Sequence, residues 1–200
     1  MSEHGHLKTR EHILKAALHL FVTKGYAQTS MEEIAKEVGI TKPAIYHYFE
    51  SKEMLFLALL DAAKLEHDAM LNRLKEKKLG LPQLIEEGIR QGIIILKENP
   101  DWIRLITRIS SYPFELDEIV DLHAMDCDVH QSEIRLLEEA VDDMALRPGV
   151  TMEEFVYFFH DAIHAFFTRC VFTGQQIDEV EAPKRLRDLI LFGACEKVKD

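Results

Sequence analysis

Apolar residues recur at intervals of three and four along almost the whole chain, and nowhere do they alternate strictly between turn residues. That spacing builds a stripe along one side of a helix, whereas a half-buried strand needs a period of two. The expected fold class is therefore all-α, with about nine helices and no strand. Ile13, Leu14, Ala17, Leu20 and Phe21 share one face of a first helix, and Gly25 is a natural stop. Ser30 and Glu33 form a capping box ahead of Ile34, Ala35 and Val38, and Gly39 ends that short helix. Thr41 can cap a third helix, with Pro43 tolerated in its first turn because no intrahelical donor is lost there. Ser51 caps a long fourth helix running through Met54, Leu55, Ala58, Leu59, Ala62, Leu65 and Ala69.

After the Gly80-Leu81-Pro82 break the pattern restarts with Leu84, Ile85, Ile89, Ile93 and Leu96, and Asn99-Pro100 ends it. A short helix carries Trp102, Ile103, Ile106 and Ile109 before Pro113. A long one spans about Leu116 to Ala145, the next is capped by Thr151 and Glu154, and the last runs from about Pro183 to Lys197. Gly88 and Gly92 interrupt the apolar face of the fifth helix. A glycine there costs about 1 kcal/mol relative to alanine, so close helix approach or cavity volume must use the space, and packing is the preferred reading.

Charge is unevenly spread. The net charge is −11, yet residues 1 to 60 hold seven basic and seven acidic side chains, and the rest hold 17 and 28. A neutral head on an acidic body can still meet DNA, through few phosphate contacts and with marked salt sensitivity. Cys127, Cys170 and Cys195 are dispersed and form no CxxC pair, so no disulfide framework or zinc ribbon is indicated. The first residues carry no apolar leader core, and no run approaches the roughly 20 apolar residues of a membrane span. The expectation is a cytoplasmic protein with no membrane partner.

The segment from Thr29 to Lys52 carries the function. Two short helices meet at Gly39, where positive φ permits a tight turn. Ile45 and Phe49 can anchor the second helix, leaving Lys42, Tyr46, His47 and Tyr48 for phosphate oxygens and base edges in a major groove. From the residues alone, a small helical corner with surface tyrosines stands beside this reading. The stretch also resembles the N-terminal domain of the tetracycline-repressor (TetR) family of bacterial regulators. The resemblance rests on Ile13-Leu14, Ala17, Leu20-Phe21, Gly25-Tyr26, Thr29-Ser30, Ile34-Ala35, Val38-Gly39, Ile45-Tyr46-His47-Tyr48-Phe49 and Ser51-Lys52-Glu53, within about residues 8 to 56.

The resemblance implies a helix-turn-helix DNA-binding domain over residues 1–52 and an effector-binding and dimerisation domain over 53–200. It implies a homodimer on a double-stranded palindromic operator, its recognition helices about 34–36 Å apart. The most favoured activity is that of a ligand-responsive repressor released by a small-molecule effector, with no cofactor and no catalysis. Its DNA contacts would come from Ser30, Thr41, Lys42, Pro43, Ala44, Tyr46, His47, Tyr48 and Lys52. A constitutive regulator and a helical His/Cys metal-dependent enzyme remain as alternatives.

In the body, Leu116, Val120, His123, Cys127, His130, Ile134, Leu137, Val141 and Met144 form a seam broken by polar groups, with Asp126 beside it. Together with His160 and His164 these groups could line an effector pocket walled by Trp102, Ile106 and Ile109. They could equally be satisfied core residues, or a metal site using His123, Cys127 and His130 with one of His160 or His164. Phe155, Phe159, Ile163, Phe166 and Phe167, with Leu186, Leu189 and Ile190, are the expected dimer interface.

Overall fold

A computed structural model describes residues 3–111, 122–140 and 146–193, with the side chains of 3, 4, 108–111 and 122–128 set aside. The described residues form nine α-helices and no strand, as the periodicity requires. They are α1 (Glu3–Lys24), α2 (Met31–Val38), α3 (Lys42–Tyr48), α4 (Lys52–Glu76), α5 (Leu81–Glu98), α6 (Pro100–Ser111), α7 (Leu122–Glu139), α8 (Met152–Thr173) and α9 (Glu181–Phe192).

The chain divides into two compact units, Met1–Glu66 with Arg104–Leu122 and His67–Ile103 with His123–Asp200. The division falls inside α4, beyond the expected boundary at residue 52. Leu55, Phe56, Leu59 and Leu60 on its first turns are buried, and the Phe56 ring meets those of Phe21 and Tyr26 edge-on at 5.6 and 5.2 Å. The start of α4 is therefore core of the first unit.

Sequence signals set the helix ends of that unit. The Ser30 hydroxyl accepts from the Glu33 N–H while the Glu33 carboxylate accepts from the Ser30 N–H, completing the capping box of α2. Gly39 ends α2 at φ 77°, and its N–H donates to the carbonyls of Ala35 and Lys36. Thr41 caps α3 through the Ala44 N–H, and Ser51 caps α4 through the Met54 N–H.

In the second unit α5 packs against α8 and α9. Its buried face is Leu81, Leu84, Ile85, Ile89, Ile93 and Leu96. The helix begins at Leu81, earlier than the apolar restart at Leu84, because Pro82 fits its first turn. Across α5 and α9, Glu86 pairs with Arg187 and also with Arg90 on its own helix. The last helix is described from Glu181 to Phe192 with Gly193 as its cap, and the expected end at Lys197 lies outside the described residues. The long helix expected from Leu116 to Ala145 is described only as α7, its two ends lying outside the described residues.

Phe155 and Phe167 are 8% and 6% exposed and belong to the core of their own unit, which corrects their assignment to a dimer interface. Phe159, Ile163, Phe166, Leu186 and Ile190 pack partly against that core, whereas Leu189 is exposed. The outward apolar side chains of α8 and α9 are Phe158, Phe172, Leu189 and Phe192.

The two glycines of α5 serve different ends. A Cβ on Gly92 would stand 2.6 and 2.8 Å from Cε2 and Cζ of the buried Phe167 ring, so α5 and α8 approach this closely only without a side chain there. A Cβ on Gly88 would meet only Leu74 Cδ1, at 4.0 Å. Gly92→Ala should lower stability by about 1–3 kcal/mol through overpacking. Gly88→Ala should raise it by up to about 1 kcal/mol through helix propensity. Urea unfolding of the two variants checks this, and equal effects would overturn the assignment of Gly92 to close packing.

Candidate nucleic-acid interface and a buried histidine cluster

The third helix has seven residues, too few to hold its shape without packing. Ile45 is fully buried, and Phe49, just past the helix end, is 5% exposed with the Arg10 guanidinium 5.2 Å over its ring. These two anchors turn the opposite face outward, so Thr41, Lys42, Pro43, Tyr46 and His47 are exposed and Ala44 is half-buried. The Lys42 ammonium sits 3.0 Å from Glu32 Oε2, and that bond and charge raise its pKa. An arriving phosphate would exchange with Glu32 for this cation.

Three of the expected contact residues are otherwise engaged. Ser30 uses its hydroxyl in the capping box, both accepting from the Glu33 N–H and donating to Glu33 Oε2. Glu33 is held at about 2, first by the Lys24 ammonium 2.8 Å away and then by the Ser30 bonds, so a carboxylate stands where a phosphate was expected. Tyr48 is half-buried with its ring 4.4 Å from that of His6, and its hydroxyl is shielded from solvent without a hydrogen-bond partner.

Lys52 points into the protein. Its Nζ donates to the carbonyls of Tyr26 at 2.7 Å, Thr29 at 2.9 Å and Ala27 at 3.4 Å, and lies 4.3 Å from the Tyr26 ring centre. Burial draws its pKa down. All three ammonium donors are taken by backbone, so in this conformation Lys52 positions the segment between α1 and α2. A lone Lys at the start of a helix gives no sequence sign of this task.

In the second unit, sequence reading named several polar groups, and the structure gathers only some of them. Side chains of Ile109, His123, Asp126 and Cys127 lie outside the described residues. Trp102 is half-buried, whereas Ile106, which falls in the first unit, is 42% exposed. His130 is buried at 4% exposure, and its Nε2 lies 2.7 Å from Nδ1 of His160. The Tyr157 ring covers His130 at 4.4 Å.

Two further members were missed. Glu133, one turn along α7 from His130, places Oε2 3.6 Å from His160 Nδ1. His67 of α4 places Nε2 3.3 Å from Glu133 Oε1. Burial pushes the Glu133 carboxyl up most strongly, but His67, His160 and His130 together hold it below its ordinary value. His164, one turn beyond His160, is drawn down by burial and by its neighbour His160. Glu133 Oε2, His67 Nε2 and His164 Nε2 are buried without a well-aligned hydrogen-bond partner. The i, i+3 pair of His130 and Glu133 was a visible signal, whereas the arrival of His67 from another helix was not.

Against known proteins, the family profile described as "Bacterial regulatory proteins, tetR family" matches residues 13–59, which cover α2, α3 and parts of the helices flanking them. The HTH-type transcriptional regulator YuxN of Bacillus subtilis is 29% identical over 152 residues, 67% of this chain and 52% of that protein. The chain thus spans about half of that relative's length. The HTH-type transcriptional repressor AcnR of Corynebacterium glutamicum is 28% identical over 197 residues, covering 90% of this chain and 94% of AcnR. The crystal structure of the transcriptional regulator FadR from Bacillus subtilis in complex with stearoyl-CoA superposes with a TM-score of 0.70 at 19% identity, covering 92% of this chain and 99% of that one. At that identity the likeness speaks for the fold. These relatives are transcriptional regulators rather than enzymes, and no helix of the described residues is long and apolar enough to cross a membrane. The head of the chain, over residues 13–59, thus matches the helix-turn-helix domain of the TetR family of bacterial regulatory proteins.

Proposed function

We propose that this protein is a ligand-responsive repressor that binds a palindromic operator as a homodimer and is released by a small-molecule effector. The observation that carries the DNA reading is the outward face of α3. Lys42, Pro43, Tyr46 and His47 are exposed on a helix whose other side is locked by Ile45 and Phe49. An ammonium, a phenol and an imidazole on a rigid short helix suit groove walls and base edges, with Pro43 and Ala44 free to meet thymine methyls. The Thr41 hydroxyl is engaged as the helix cap, which fixes the entry of α3.

The homodimer is supported by Phe158 and Phe172 on α8 and Leu189 and Phe192 on α9, which expose apolar rings and branches on two helices of one unit. Side chains of this kind favour association when a second copy covers them. Two copies related by a twofold axis present two α3 helices to successive major grooves. Effector control is supported by the shared fold with FadR, which was solved with stearoyl-CoA. An effector would act by favouring one of two spacings of the heads, and only its differential affinity can shift that balance.

Selection from a random DNA pool should enrich a palindrome. Tyr46→Ala should weaken binding of that sequence by roughly 5–150-fold, the equivalent of about 1–3 kcal/mol for a base contact. Lys42→Ala should lower the salt dependence by about one phosphate contact. Neither should change thermal stability, whereas Lys52→Met should cost about 1–3 kcal/mol by leaving backbone carbonyls without donors. No enrichment at low salt by folded protein stripped of small molecules would sink the DNA reading. Phe158→Glu should convert the dimer to monomer in sedimentation, and a monomeric parent protein would sink the dimer reading.

A further inference from the structure

The geometry points to a binding site for a divalent transition-metal ion in the second unit, held by His130 Nε2, His160 Nδ1 and Glu133 Oε2, with His67 positioning the carboxylate. We draw this from the convergence of α4, α7 and α8 on one half-buried carboxylate whose Oε2 is shielded from solvent. The donor atoms of His130, Glu133 and His160 lie within 4.8 Å of one another. The site stands apart from DNA recognition and holds whether or not the head binds an operator.

The first argument is convergence. The Glu133 carboxylate stands among imidazoles from three helices, with His160 Nδ1 3.6 Å from Oε2 and His67 Nε2 3.3 Å from Oε1. Imidazole and carboxylate donors gathered in this way suit a divalent transition-metal ion. The second argument is hydrogen bonding, because Glu133 Oε2 is buried without a partner although His160 Nδ1 lies 3.6 Å away. A coordinate bond occupies that lone pair.

The third argument is geometry. Zinc-class ions take imidazole and carboxylate ligands at about 2.0–2.2 Å, which sets ligand atoms about 3.3 Å apart in a tetrahedron. The observed separations of 2.7 Å for His130–His160 and 3.6 Å for His160–Glu133 bracket that value. For these two pairs, metallation requires separations to change by about 0.3–0.6 Å. It replaces the contact between the two ring nitrogens, which serves only one proton. His67, 3.3 Å from the other carboxylate oxygen, matches the outer-shell partners that orient ligating carboxylates.

Two imidazoles and one carboxylate select a borderline divalent ion such as zinc, cobalt, nickel or iron over calcium or magnesium, which take oxygen ligands. Three protein ligands also leave a coordination position open for an exogenous donor.

The test uses full-length, tag-free, chelator-stripped protein titrated with Co(II), read by visible d–d absorption, and with Zn(II), read by calorimetry and thermal melting. One high-affinity ion per chain is expected, with a Zn(II)-dependent rise in Tm. His160→Ala and Glu133→Gln should each weaken binding by more than about 100-fold, and His67→Ala by about 10–100-fold. His12→Ala, at an exposed position of the first unit, should leave it unchanged. Because Glu133→Gln alters a buried group and can impair folding, the half-buried His160→Ala variant carries the decision. Absence of tight binding by the parent protein, or binding by His160→Ala at parental affinity, overturns the site.

Discussion

One ammonium fixes the geometry of the DNA-binding head. Lys52, the first residue of α4, donates to three carbonyls of the segment that joins α1 to α2. Beside it, the buried Thr29 hydroxyl contacts the carbonyls of Gly25 at 2.8 Å and Leu20 at 3.3 Å. The end of α1, the approach to α2 and the start of α4 are thus tied at one place. Because α3 lies between α2 and α4 in the chain, both ends of the segment that carries it are set. A helix of two turns needs this, since it has no rigidity of its own.

The same economy of polar groups runs through the head. Capping hydroxyls, the Glu33–Lys24 pair and the Lys52 node all bond within the protein, whereas Tyr46 and His47 of α3 turn outward. Even Lys42 is paired, but at the surface with Glu32, where solvent screens the attraction and a phosphate can replace it. Seven positive and seven negative side chains in residues 1 to 60 therefore do not forbid an anionic partner. What matters is which cations are already bound to backbone and which are exchangeable.

Local signals made most of the helix ends legible in the sequence. Gly25, Ser30 with Glu33, Gly39, Thr41 and Thr151 with Glu154 each act within four residues of the group they satisfy, so spacing alone identifies them. The face of α3 was legible for the same reason, as Ile45 and Phe49 lie one turn apart. Lys52 and Tyr48 were not, because their roles depend on groups far along the chain, and at Gly92 the packing role was legible but its partner Phe167 was not. The phenylalanines of α8 show the limit well. Phe155, Phe158 and Phe167 look alike in composition, yet they divide between core and surface according to where α5 and α9 pack.

The histidine cluster is the sharpest case of this limit. Periodicity put His130 on the inward stripe of its helix, but a stripe does not say what faces it. His160 and His67 come from other helices, and Glu133 has its meaning only among them. As pure packing the arrangement is a poor one, since an apolar side chain in place of Glu133 would avoid burying a charge and an unpartnered oxygen. In the head, buried polar groups such as Thr29 are satisfied by the backbone that they position. In the second unit, Glu133, His67 and His164 each keep a buried atom without a hydrogen bond, and such atoms are where a folded protein can still gain by binding something.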